Sequence, residues 1–294
     1  MAYQLQGAII KTLSYSDIFN YPLTLPEIKK YLIGLRFSGL DLSVQLGKIP
    51  FIKEKKGYYY FYGRQEIISA RISKQKNSLK KIRLAKKFAR LLFFIPTVKL
   101  IAVTGNLAML SADINDDIDL LILTQKRRIW LTRLFCVLIL KIFGVYRQPA
   151  QSEVSDKICL NMFLDEEHLL LPAEERDLYS AHEIVQMKPL LERAGYENIM
   201  QRSNPWIEKF LPNAIPKKIV PYRKNSFSVP LFSKLFDFLE ISAQKFQLFY
   251  MRHSRTSEVI RSGYLRFHPK DARVHILKSY RDRLNKYLHS RYTS

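Results

Sequence analysis

Two aspartates one residue apart, Asp117 and Asp119, stand in the run Asp117-Ile118-Asp119-Leu120-Leu121-Ile122-Leu123. The run predicts a strand, and residues two apart in a strand share a face, so both carboxylates point the same way. Aspartate is depleted in strands, and like charges held side by side repel unless a cation lies between them. Structure alone explains such a pair poorly; a metal site explains it better. Upstream, Thr104-Gly105-Asn106 stops a short β-prone run, Leu100-Ile101-Ala102-Val103. Asn106 is the expected N-cap of a short helix over Leu107 to Leu110. The first amides of such a helix are free to take a phosphate. A phosphate cradle facing a carboxylate pair that can hold Mg²⁺ is the equipment for nucleoside triphosphate chemistry.

The elements that must position these groups are a strand, a tight turn, a short helix, a polar loop (Ser111 to Asp116) and a second strand. In that order they resemble the DNA polymerase β-like nucleotidyltransferases. The signature of that family is a strand, a Gly-Ser or Gly-Gly turn, about ten residues, then Asp-x-Asp on the next strand. Here the turn is Gly105-Asn106, ten residues run from Leu107 to Asp116, and the pair is Asp117 and Asp119. Asn106 departs from the usual Ser or Gly, but its backbone amide can still donate to a phosphate oxygen.

The resemblance covers about 100 residues. It implies Mg²⁺ or Mn²⁺ held by Asp117 and Asp119, an NTP substrate seated at Thr104, Gly105 and Asn106, and transfer of a nucleoside monophosphate to an acceptor hydroxyl. It also implies a third carboxylate on a neighbouring strand, which completes the metal site and takes the proton from the attacking hydroxyl. The strand expected over Lys157 to Leu164 carries Asn161 in its middle. An amide coordinates weakly and cannot act as a base. Asp156 precedes that strand, and Asp165 lies four residues beyond Asn161, about 13 Å along it. The third acid is therefore open.

Other readings compete for the same residues. Asp113-x-Asn115-x-Asp117 imitates the start of an EF-hand calcium loop, but Ile118 and Thr124 stand where that loop needs Gly and Glu. A polar Asp-rich loop before a strand is common. A nucleotidyltransferase core that has lost catalysis, kept in a nucleic-acid-binding or regulatory (antitoxin-like) protein, is the alternative function.

Composition frames the choice. The chain has 294 residues, 47% of them hydrophobic, and a net charge of +22, which attracts polyanions; nucleic acid is the first candidate, an anionic membrane surface or acidic protein the next. Cys136 and Cys159 form no metal-ligand spacing and read as small core residues of a reducing, cytoplasmic setting. The N-terminal residues lack the basic segment and cleavage site of a secretory signal. Ile129 to Tyr146 is strongly apolar but short and broken by Arg133 and Lys141, so a buried helix is expected there, with no transmembrane segment. No HExxH, Walker A loop or GxGxxG occurs.

Three domains are expected. Residues 1–75 read as a winged helix: a helix over Gln4 to Phe19, another opening at Thr24 with a capping box to Glu27, and a weaker one around Leu40 to Leu46. A hairpin follows, with Lys53, Lys55 and Lys56 at its tip as candidate nucleic-acid contacts. That third helix is poor in Arg and Lys, which also suits a protein-contact role. Residues 76–171 form the nucleotidyltransferase core, an α/β (α+β) unit with a mixed sheet. A basic helix over Gln65 to Phe94 flanks it, with Lys74, Lys81 and Lys86 among the cations that would guide phosphates. Residues 172–294 read as a helical basic domain: one helix over Ala173 to Arg193 bent at Pro189, a short one from Ser203, and long ones from Leu231 to about Arg261 and from Pro269 to Leu288. Pro216 to Pro230 reads as a connector, and His268 as a local structural histidine.

Overall fold

The computed structural model describes the chain except residues 1, 38, 40, 149–150, 194, 197, 216–232, 253–257, 268–271 and 290–294. Pro216 to Pro230, His268 and Pro269 therefore lie outside the described residues.

The N-terminal part is three helices and a hairpin. Helix α1 (Ala2–Asp17) buries Leu5, Ile9 and Leu13 on one face, the spacing of an amphipathic helix. After strand β1 (Leu23–Thr24), helix α2 (Leu25–Lys30) starts where the Glu27 carboxylate accepts the Thr24 backbone N–H at 2.8 Å. Asp41 caps α3 (Leu42–Gly47), accepting from Ser43 N at 2.9 Å. Strands β2 (Ile52–Lys55) and β3 (Tyr58–Phe61) form an antiparallel hairpin, with Lys56 and Gly57 both at positive φ in its turn. β1 pairs on the other side of β3.

A 28-residue helix, α4 (Glu66–Phe93), leads to the main sheet. Strand β4 (Val98–Val103) is buried at every residue. It is followed by one helical turn, α5 (Gly105–Ala108), then β5 (Ile118–Thr124), α6 (Ile129–Ile142) and β6 (Ile158–Asp165). Beyond these come α7 (Leu178–Gln186), β7 (Lys188–Glu192), α8 (Ile199–Ser203), α9 (Ser233–Met251), β8 (Val259–Arg261), β9 (Tyr264–Arg266) and α10 (Ala272–His289). The six-stranded sheet has the order β7-β4-β5-β6-β9-β8. β5 and β6 are parallel, joined by the α6 crossover, and the other strand pairs of this sheet are antiparallel, with one isolated parallel bridge between Tyr146 and Ile158.

Alternation along the central strands splits the core between two faces. Ile101, Val103, Leu120, Ile122 and Phe163 pack with α4 and α6 on one side. Leu100, Ala102, Leu121, Leu123 and Leu164 pack with α7 and with Tyr15 of α1 on the other. Helix α10 closes against α1, where Arg283 pairs with the buried Asp17. The protein is a mixed α/β structure.

The C-terminal third departs from the helical domain expected there. Ala173 to Arg193 is not one bent helix: α7 ends at Gln186, and Pro189 lies in edge strand β7, opposite Ala102 at a register shift. Proline is tolerated on a sheet edge and breaks a helix interior. The helix expected from Leu231 to Arg261 ends at Met251, and Val259 to Arg261 turn back through Gly263 as a hairpin on β6. Three of the six strands thus follow residue 171. Among the described residues no helix is long and apolar enough to cross a membrane.

Candidate active site

The loop before β5 is held from behind by α4. Lys81, side chain buried, donates to the Ile114 carbonyl at 2.9 Å and the Asp116 carbonyl at 2.7 Å, and pairs with Asp156 at 2.7 Å. Ser78 accepts the Ala112 N–H at 3.0 Å. Lys74 pairs with Asp113 at 2.9 Å. Lys74 and Lys81 thus fasten the loop that ends at Asp117, and neither lines the cleft described below. Lys86 and the remaining basic residues of the outer face are exposed.

On this support the acid pair converges. One carboxylate oxygen each of Asp117 and Asp119 and the sulfur of Cys159 lie within 4.8 Å of one another. Cys159 is there because β6 runs parallel to β5 with Cys159 opposite Asp119. It is buried, as its apolar surroundings suggested, and also stands beside the acid pair; Cys136 is fully buried in the core. Arg147, from the segment between α6 and β6, sets a guanidinium nitrogen 2.7 Å from Asp117 Oδ2 and 3.5 Å from the Cys159 sulfur. Part of the positive charge that the crowded carboxylates call for is supplied by this arginine, paired with Asp117.

Gly105 closes the site from above. Its φ is +59, and a Cβ there would stand 3.5 Å from Asp119 Oδ2. The backbone comes this near the carboxylate in a left-handed conformation that glycine adopts without strain. Thr104, and not Asn106, is the N-cap of α5, and its hydroxyl caps nothing. Asn106 instead ties the turn to the acid loop, its side-chain nitrogen 3.4 Å from Asp116 Oδ2.

The electrostatics are those of a crowded carboxylate. Burial, reinforced by Asp117, pushes Asp119 up to about 7, against the pull of Cys159 and Arg147. Burial and the two carboxylates hold the Cys159 thiol well above its ordinary value, so it stays protonated. On Arg147, burial would lower the pKa, but the carboxylates, Asp117 foremost, raise it.

Asp119 of the acid pair lines a cleft of about 270 Å³ between the sheet and helices α1, α7 and α10. Gly105, Asn106, Asp119 and Asn161 line one wall; Tyr15, Tyr179, His182 and Glu183 line the facing one. Tyr15 stacks on the His182 ring at 4.0 Å. The Gln186 amide nitrogen meets His182 Nδ1 at 2.9 Å, and burial holds the imidazole down at about 3, hence neutral. Burial raises Glu183 to about 7.

The predicted residues divide sharply. Asp117, Asp119, Gly105 and Asn106 meet at one place. Asn161 sits at a register shift in β6, buried, and lines the same cleft, with no hydrogen bond to its side-chain oxygen. Neither reserve acid is present: Asp156 is spent on Lys81, and Asp165 caps a turn, accepting from Glu167 N at 3.0 Å and meeting His168 at 2.6 Å. Lys53, Lys55 and Lys56 are exposed on the hairpin and line no part of the cleft. Sequence reasoning missed Arg147, Cys159, His182 and Glu183. Only the Cys159 position was signalled, by the parallel pairing that the crossover helix implies.

A divalent ion fits this donor set in part. Two carboxylates and an amide oxygen are hard ligands of the kind Mg²⁺ and Mn²⁺ take, whereas a neutral thiol is not. The Asp119 Oδ1, Thr104 Oγ1 and Asn161 Oδ1 atoms are buried without a hydrogen-bond partner, a pattern that ligand-binding polar atoms share. Comparison with protein-family models, with curated proteins and with solved structures finds no match in any of the three.

Proposed function

We propose that the protein is a divalent-metal-dependent nucleotidyltransferase, moving a nucleoside monophosphate from an NTP to an acceptor hydroxyl. The observation that carries this reading is the convergence of Asp117 and Asp119, with Asp119 beneath the Gly105 turn and lining a cleft. Asp117 and Asp119 would hold Mg²⁺ or Mn²⁺, with Asn161 as a weak third ligand; the ion supplies charge neutralisation at the phosphates.

The chain's own groups do the rest. The Gly105 turn admits a phosphate close to the backbone. Arg147, partly exposed, can turn its guanidinium from Asp117 to a phosphate oxygen when a cation takes its place on the carboxylates. Glu183 faces Asn161 and Asp119 across the cleft, and a carboxyl poised near neutral suits the removal of a proton from an acceptor hydroxyl. This reading draws its third acid from α7 in place of β6.

The second reading is a degenerate core in a nucleic-acid-binding or regulatory protein. Asn161 and Cys159 in place of a strand carboxylate, and the Arg147–Asp117 pair, favour it. The three helices and basic-tipped hairpin of residues 2–61 support a winged helix that contacts nucleic acid or protein in either case. Calorimetric titration with each NTP in Mg²⁺ separates a binding-competent site from an inert scaffold. Binding that is lost in Asp119→Asn supports the first reading; no binding of any NTP contradicts it.

A further inference from the structure

Helix α9 carries most of its large apolar side chains outward. Its buried side is mixed, with Ala243 and Met251 beside Glu240 and Gln247, and the Glu240 carboxylate accepts Trp130 N at 2.7 Å and Leu131 N at 2.9 Å, capping α6. Gln247 donates to the Trp130 carbonyl at 2.8 Å, with small Ala243 packed between the two. The side turned outward is apolar: Leu235, Phe238, Ile241, Phe246, Phe249 and Tyr250 are each more than half exposed. A helix of a water-soluble protein is ordinarily built the other way round. Helix α6 adds Phe135, Leu138 and Ile142, a helical stripe that is also exposed. Lys141 of α6 lies over the Tyr250 ring at 5.3 Å and joins the two stripes. An apolar surface this continuous marks an interaction site.

The charges around it choose the partner. On α9, Asp237 is paired with Arg128 at 2.7 Å, and Glu240 is buried in the cap. The exposed charges at the rim, Lys141, Lys234, Lys245 and Arg252, are all cationic. A second copy of a chain carrying +22 would bring like charge to this face, which opposes self-association. An anionic lipid leaflet offers both an apolar boundary for the aromatics and opposite charge for the lysines, whose stems can lie along the apolar surface.

We propose that α9, with the outer stripe of α6, seats the protein on the surface of an anionic phospholipid bilayer, lying in the interfacial plane without crossing it. The proposal does not depend on the transferase reading.

The test is co-sedimentation of the full chain with vesicles of phosphatidylcholine alone and of phosphatidylcholine with phosphatidylglycerol. The wild type should bind the anionic vesicles, and salt should weaken binding. Replacing two exposed aromatics (Phe238→Ser with Phe249→Ser) should lower partitioning about tenfold or more, since each leaves less apolar area to bury. The thermal melt should be unchanged, because neither side chain is in the core. Lys234→Glu with Lys245→Glu should weaken binding to anionic vesicles alone. Three results would overturn the proposal: vesicle binding unaffected by the aromatic pair, no binding to anionic vesicles by the wild type, or a concentration-dependent dimer in light scattering that the aromatic pair abolishes.

Discussion

At the scale of single residues, the site is defined by carboxylates kept where charge is unwelcome. Asp119 titrates near 7 in the folded chain and near its ordinary value when unfolded, so folding favours its protonated form. That contribution is full below about pH 4 and is lost as pH rises toward 7. Asp119→Asn should therefore raise the melting temperature at pH 8 in the presence of chelator and leave it little changed at pH 4; equal shifts at both values would mean the carboxylate is not strained. Glu183 and Asn161 answer different questions about the missing acid. Glu183→Gln should lower transfer roughly 10² to 10⁴-fold with triphosphate affinity retained. Asn161→Asp should raise transfer if the strand position is the one short of a base. A rise in the second with no loss in the first would return the role to β6. The acid pair and the Gly105 turn were legible because their spacing is a local pattern. Arg147 and Glu183 were not, since one lies in an irregular segment and the other reads as an ordinary helix carboxylate. Each gains meaning only when the chain folds back on β5.

At the scale of elements, the loop carrying the acids depends on a long helix whose basic residues look solvated in the sequence. Periodicity marks α4 well, but not that Lys81 is turned inward at three acceptors. Lys81→Met should cost about 1–3 kcal/mol, because two carbonyls lose a charged donor. It should also weaken metal-dependent triphosphate binding by loosening the loop before Asp117, whereas Lys80→Met, exposed one residue away, should do neither. A chemical-denaturation series beside a binding titration distinguishes the two. Element type failed in sequence where strands were very short. β8 and β9 have three residues each, too few for alternation to show, and β7 follows α7 with a single residue between. Their strand character comes from the open edges of β4 and β6, which only the assembled sheet provides.

At the scale of the whole molecule, the charge of +22 and the placement of its parts set the expected partners. Lys53, Lys55 and Lys56 do not line the cleft, so neutralising the three together should leave triphosphate binding intact. If duplex DNA is a partner, the slope of log affinity against log salt should flatten by roughly 0.9 for each phosphate that the variant no longer neutralises. An unchanged slope would assign the hairpin to protein contacts. The transferase site is proposed to lie under the Gly105 turn, in one cleft built from both ends of the chain. Incubation of the wild-type chain, Asp117→Asn and Asp119→Asn with each α-labelled NTP, Mg²⁺ and a mixture of acceptors tests it most directly. The predicted result is label transferred by the wild type with one or more NTPs and by neither variant, while all three melt cooperatively. Undiminished transfer by both variants, or no transfer by the wild type with any NTP, would contradict it.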